Sequence, residues 1–481
     1  APTCTPTTCA SLNHNCGNWT DGCSGTLSCG VFGNGSCQTG QTCNATGGCV
    51  ANPIGNIIYA LSCSQIDVQA AVNNASRGNI VVVPAGTCTW NNTLTITKGI
   101  TLRGAGISQT KIAGQIILVT ISPDTSALSN HETFNVEGFN FNGNNSTSAQ
   151  MSWQGLITLQ GSSTTTGYIN LRIINNKFQN TFGTGIYLIG TVYGVASSNQ
   201  FDRVEMPIRA IGNNEYSWSA FYSTLAYGGS DNFYFEDNTI GFSSPYSGSP
   251  GWLESGQGGR IVVRYNLWND ANTTGSEYWD VHGLQTPNST GGNCQQYSTM
   301  VAEYYGNLRI NTQNAYRWTC HRGSWLMQFN NVITGLGSPD NSYNEYSCDE
   351  CAAFGIYLQH ISNTYFWNNL ANGQIKGLIK NFDDCTTYKI TENRDYFNYN
   401  SSCTSSSCSV GIGCGSTPPT GACSIGVGYW VTSYSLCYSA PSTMAEMKTV
   451  TQAGRFYKCT APNTWTLYYQ PYTYPHPLTL I

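Results

Sequence analysis

The chain has 481 residues, only 9% of them charged, with 52 Gly, 21 Cys, 30 Tyr, 12 Trp and a formal net charge of −5. So little Lys and Glu excludes long solvated helices, while a 40% hydrophobic content supports a packed core, which leaves a β-rich, turn-rich globular protein. A sequence pI near 5.7 excludes the basic footprint of a nucleic-acid binder, and no apolar run approaches a bilayer span. This many cysteines belong in an oxidising compartment, and a chain that begins at Ala1 without an apolar leader is expected of a mature secreted protein.

Residues 1–52 carry eight cysteines (Cys4, Cys9, Cys16, Cys23, Cys29, Cys37, Cys43 and Cys49) among Gly, Thr, Asn and Ser. So little apolar surface requires covalent staples, and the intervals lack the Cys-x2-Cys pairs of structural zinc sites, so a small disulfide module is expected. From Ser64 the pattern changes. Ser64 caps a short amphipathic helix through Ile66, Ala70 and Val72, followed by two strand-like runs, Asn79-Ile-Val-Val-Val-Pro and Leu94-Thr-Ile-Thr, broken by Gly and Pro. Cys63 and Cys88 flank this helix and strand and are expected to pair.

Downstream a phrase recurs: two apolar residues two apart, Asn three later, then another apolar residue. It occurs at Leu171-Arg-Ile-Ile-Asn-Asn176, Phe233-Tyr-Phe-Glu-Asp-Asn238, Ile261-Val-Val-Arg-Tyr-Asn266 and Trp325-Leu-Met-Gln-Phe-Asn330, with weaker copies at Asn140, Asn199, Asn307 and Asn368. Strand, Asn corner, strand, repeated with variable insertions, is the pattern of a solenoid. Asn tolerates a left-handed corner, and its amide can bond the chain above or below, so stacked copies predict a ladder. With Val83-Pro-Ala-Gly-Thr-Cys-Thr-Trp and Gly99-Ile-Thr-Leu-Arg-Gly-Ala-Gly, the sequence resembles the secreted right-handed parallel β-helix proteins of the pectate-lyase-like group over about residues 56–380. The resemblance implies an all-β, single-stranded parallel β-helix at 53–382. Past Lys380 the repeat fades and seven cysteines return, so 383–481 is expected to be a Cys-rich cap.

Aligning the corner asparagines places Glu236, Arg264, Tyr305 and Gln328 in one outward column, and Tyr234, Val262, Glu303 and Leu326 in the next. The long rung after Asn266 is expected to loop out and carry Glu277, Trp279, Asp280 and His282, and the run Tyr316–Trp325 adds Arg317, Trp318, His321 and Arg322. Three readings use such residues. An elimination like that of the pectate lyases would take Glu236 and Asp237 as Ca2+ ligands, with Arg317 or Arg322 near the acidified carbon. A hydrolase would set two carboxylates among Glu277, Asp280 and Glu303 across the bond, with His282 and the cations beside them. In the third no chemistry occurs: aromatic and Asn side chains bind sugar rings and the charges are structural. Arg264, Trp279, Trp318 and His321 are the candidate substrate contacts.

The paired acidic motifs and Gly-His-Gly of polygalacturonases are absent, and His282-Gly283 is a partial echo. Asn-x-Ser/Thr triplets, Asn272 among them, are glycosylation acceptors where the host has the machinery. The expected function is a secreted carbohydrate-active protein that acts on an extracellular polysaccharide or cell-surface glycan. The rival is a fibre, sheath or surface-layer subunit that self-associates through its β-helix ends and an odd cysteine. Neither reading involves nucleic acid or membrane insertion.

Overall fold

The computed structural model describes residues 7–12, 14–23, 25–29, 41–43, 49–51, 56–146, 154–161, 168–212, 227–244, 251–269, 271–272, 279–281, 298–310, 317–323, 325–336, 343–346, 361–381, 390–432 and 443–480. Two units divide the chain: Ala1–Asn56 with Tyr474–Ile481, and Ile57–Thr473. In the first, two short antiparallel pairs, Gly17–Thr20 with Thr26–Cys29 and Gln41–Cys43 with Cys49–Ala51, are accompanied by a Cys9–Cys29 disulfide. Cys16 and Cys23 are also disulfide-bonded.

The second unit is a right-handed parallel β-helix. It opens with the helix Gln65–Asn74, whose N-cap Ser64 accepts a hydrogen bond from the Asp67 N–H, and which buries Val68, Ala71 and Val72 against the first rungs. A Cys63–Cys88 disulfide ties this helix to the next strands. Twelve parallel strands, from Ile57–Tyr59 to Tyr396–Asn398, make the first sheet. A second sheet runs through Gly86–Thr89, Thr110–Ala113, Thr239–Gly241, Leu267–Asn269 and Leu308–Ile310. A third runs through Leu94–Ile96, Val119–Ile121, Leu253–Gly256, Trp279–Val281 and Arg317–His321. Two long strands, Lys177–Ile189 and Gln200–Ile211, bend across the second and third sheets and join them. The lumen is filled by in-register apolar columns, such as Phe141, Phe178 and Phe201, whose rings stack at 5.7 and 4.9 Å.

The corner from the first to the second sheet is two residues long, and its two positions have separate tasks. The first takes the left-handed conformation: Asn175, Ser198, Asp237, Tyr265, Gly306, Asn330 and Asn368 all have φ between 49° and 66°. The second is a buried Asn whose Oδ1 accepts the backbone N–H of the corner before it. Asn176, Asn199, Asn238, Asn266 and Asn307 each donate their N–H to the amide oxygen of the next ladder residue at 2.9–3.0 Å, ending on Asn331, which reaches Asn369 through its side chain. Each Nδ2 also donates to a strand carbonyl, as Asn266 does to Phe235 at 2.8 Å.

Three expected corner residues are therefore displaced. Asn330 and Asn368 sit in the left-handed position and leave the ladder to Asn331 and Asn369. At Asn140 the equivalent place is held by Phe139, whose N–H the Asn176 amide receives. The shift of one residue exchanges faces. Tyr305 pairs with Phe329 and Glu303 with Met327, so Gln328 and Leu326 face the lumen rather than the outward columns.

The ladder is a continuous polar spine through the core. Asn266→Ala strips the acceptor from Asn238 and a donor from the Phe235 carbonyl in a site closed to water, which should cost about 3 kcal/mol. The exposed Asn92→Ala should change stability by less than about 0.5 kcal/mol. Chemical unfolding midpoints of the two variants against wild type check the contrast.

Candidate functional site

The outward face of the first sheet changes character along the helix axis. In its later rungs Glu236, Arg264, Tyr305, Phe329, Tyr234, Val262, Glu303, Met327 and Tyr365 are all fully buried. Segments from residues 390–473 cover them. Trp430 and Phe456 pack on Trp367 at 5.3 and 4.9 Å, and the helix Met444–Ala453 brings Thr451 to Asn330 and Gln452 to Tyr265. This region is stapled by Cys403–Cys408 and Cys423–Cys459.

Arg264 organises the covered face. It is ion-paired with Glu236 at 2.6 Å, donates to the carbonyls of Tyr472 and Thr473 at 2.7 and 2.9 Å, and lies 4.6 Å from the Tyr234 ring. A guanidinium with this many acceptors is a structural clamp holding the chain segment near 472 against the sheet. Glu303 accepts the Gly228 N–H and the Tyr469 hydroxyl, both at 2.7 Å, while burial pushes its carboxyl above the usual range. Asp237 pairs with Lys448 at 2.6 Å.

Glu236 and Asp237 therefore do not fit Ca2+, since each carboxylate already faces a cation of the chain. Among the described residues no group of three or more His, Cys, Asp and Glu could hold a metal. Arg264 and Glu303 lie in outward columns, but under protein rather than beside solvent. The covering residues follow Lys380 and contain no repeat that the sequence pattern could dock.

Two other expected residues lie inside the lumen. Trp279 is 1% exposed, packs 5.3 Å from Tyr304 and donates its indole N–H to Ser255. His321 is fully buried, with Nε2 3.1 Å from the Thr364 hydroxyl. They alternate with outward neighbours on their strands, and neither is presented to a polysaccharide. Glu277 and His282 lie outside the described residues, as do the side chains of Arg317 and Trp318.

Asp280 and Arg322 meet on the third sheet. Arg322 grips the carboxylate with two hydrogen bonds, from Nε at 2.9 Å and Nη2 at 2.5 Å. Glu254 stands in register beside Asp280, and Arg209 beside Glu254, to which it donates at 2.7 Å. Tyr187 continues the column, its ring 5.2 Å from the Arg209 guanidinium. The sequence Tyr187, Arg209, Glu254, Asp280 thus runs across four adjacent strands. In parallel strands the Cα atoms of Glu254 and Asp280 are about 4.8 Å apart. Arg209, Glu254 and Asp280 are 8, 3 and 9% exposed, so the column is largely buried and its charges rely on one another.

Farther along the same face is Glu205, four residues before Arg209, whose carboxyl burial pushes up. Sequence reasoning missed Arg209 and Glu254. Their strands lie between corners of variable length and carry no Asn to align them; only the alternation in Leu253-Glu254-Ser255 marked an outward acid.

No family model matches the chain, and no curated protein matches it. Among solved structures it is similar to a family PL6 alginate lyase at 13% identity and TM-score 0.40, covering 69% of this chain and 40% of the lyase. ORF18 of Geobacillus virus E2 is matched at 13% identity and TM-score 0.31 over 64% of this chain and 67% of that one. A family 28 exopolygalacturonase of Yersinia enterocolitica is matched at 12% identity and TM-score 0.34, over 71% and 82%. Likenesses this loose assign no activity, so the functional reading below rests on the chain's own residues.

The covered face yields a pH test. The folded state holds the Glu303 proton above the pH at which an ordinary Glu, near 4.5, has lost it. Stability therefore falls as pH rises from that value through the raised one, and is constant beyond it. Glu303→Gln removes the titration. Between pH 4.5 and neutrality the wild-type unfolding midpoint should drop relative to the variant; a constant offset would reject the assignment.

Proposed function

We propose that the protein is secreted and binds and cleaves an extracellular polysaccharide along the outward face of the third sheet. The observation that carries the reading is the pair of adjacent carboxylates, Glu254 and Asp280, each gripped by its own arginine. One strand spacing, about 4.8 Å between Cα atoms, sets two carboxyl-bearing side chains next to each other, and glycoside hydrolysis works with such a pair of carboxyls. One carboxyl protonates the leaving oxygen while the other faces the anomeric carbon. Asp280, held at both oxygens by Arg322, and Glu254, held by Arg209, are the two carboxyls of the pair. The arginines position the carboxylates and set their electrostatic surroundings. Disulfides in both units support an oxidising location, and among the described residues no helix is long and apolar enough to cross a membrane.

Incubation with a panel of polyuronates and neutral glycans should release new chain ends from at least one of them. Glu254→Gln and Asp280→Asn should each slow the release by about 100-fold or more, whereas Glu303→Gln should not. Absence of both new ends and binding across the panel, with and without Ca2+, would reject the reading.

A second reading, end-to-end self-association, is favoured by one observation. The first sheet begins with Ile57–Tyr59, which has a strand partner on one side only among the described residues. Around it Ile57, Tyr59, Leu61 and Ile66 are 49, 69, 91 and 75% exposed. An apolar strand edge of this kind invites a further strand. If a second copy supplies it, size-exclusion elution should shift with concentration, and Leu61→Asp should abolish the shift.

A further inference from the structure

The second sheet carries a groove of about 390 Å³ on its outward side, away from both the covered face and the Glu254–Asp280 pair. Lys177, Gln200, Asp202, Thr239, Gly241 and Asn269 form its floor and walls. The floor is pre-set: Asp202 accepts the Ser243 N–H at 2.9 Å and lies 3.3 Å from Lys177 Nζ. On the strand Gln200–Ile211, Asp202 is seven residues from Arg209, at most about 23 Å along an extended chain.

Gly241 is the informative residue. It is the last residue of the strand Thr239–Gly241 and leaves the outward side of that strand bare. Its φ is not positive, its register with Asp202 on one side and Asn269 on the other is unbroken, and a Cβ placed on it would meet nothing nearer than the Asn269 carbonyl at 3.7 Å. What its bare backbone provides is space. Asp202 and Asn269 stand two strand spacings apart, about 9.6 Å between Cα atoms, with the bare backbone of Gly241 between them.

We infer that this groove is a binding subsite for a residue of a neutral oligosaccharide. The walls offer amides and hydroxyls that both donate and accept, and among the described lining residues one cation, Lys177, faces one anion, Asp202. That balance suits a ring bearing several hydroxyls and gives no net attraction to a charged ligand. The groove is distinct from the proposed cleavage site and would hold a neutral stretch of glycan whether or not that site acts on it.

The test uses the full chain made in a host without N-glycosylation, so that Asn272 on the groove rim stays bare. Cello-, manno-, xylo- and galacto-tetraose are titrated in turn by saturation-transfer NMR and calorimetry. At least one should bind, and Gly241→Val, which suits a strand and fills this space, should weaken it about tenfold or more. Asp202→Asn should also weaken it, while the exposed Asn92→Ala should leave it unchanged. Failure of all four sugars to bind at about 10 mM, or binding indifferent to both Gly241→Val and Asp202→Asn, would overturn the assignment. Loss of cleavage on the third sheet with this binding intact would count against the enzyme reading alone.

Discussion

A stack of parallel strands has no hairpin to fix its register, so something else must stop each rung from sliding over the last. Here the buried Asn ladder does it. Every rung from Asn176 to Asn331 is pinned to the next by an amide that satisfies a corner N–H, in a place where an unsatisfied donor would cost about 1–3 kcal/mol. Because side chains alternate with a period of two, pinning one corner decides which residue faces the lumen and which faces out in the two strands that meet there. The Phe141–Phe178–Phe201 stack follows from this lock, while the Tyr187–Arg209–Glu254–Asp280 column, past a variable corner, is held by strand register.

The same lock exposes a line of polar side chains on each sheet, and the chain disposes of them in two ways. On the first sheet Glu236, Arg264 and Glu303 are covered, and their charges survive burial by pairing and by accepting or donating several hydrogen bonds. On the third sheet Arg209, Glu254, Asp280 and Arg322 pair without losing all contact with solvent. Residues of the same kind are thus fully closed off on one face and left a few per cent exposed on the other.

The fold was legible in the sequence because its signal is local: an apolar alternation followed by Asn survives insertions elsewhere in the rung. The errors came from the same signal. Asn330-Asn331 and Asn368-Asn369 offer two residues for one ladder place, and only the left-handed backbone at the first decides between them. Of the site, Asp280 and Arg322 were visible as charges in an unusual stretch, but Glu254 and Arg209 were not, since their partnership spans 45 residues and depends on register. Burial of Arg264 and Glu303 was illegible for another reason. The covering segment has no periodicity, so nothing in its sequence announces which sheet it will lie on.

The corners explain why the third sheet has the most room for variation. A two-residue ladder corner cannot accept an insertion without breaking its hydrogen bonds, and every rung from Ile174/Lys177 to Trp367/Leu370 keeps that length. Variation is forced to the other two corners. Between the second and third sheets the connection grows from none in Lys177–Ile189 to residues 242–252, and between the third and first it reaches residues 212–232. The third sheet is the one bordered by both variable corners. It is where a rigid strand can be flanked by loops on either side without disturbing the ladder, which is the arrangement that places binding and catalytic groups on a fixed scaffold. The first and second sheets each adjoin the ladder and have only one such border. A groove opened by an absent side chain, as at Gly241, is what a sheet with one variable border can still provide.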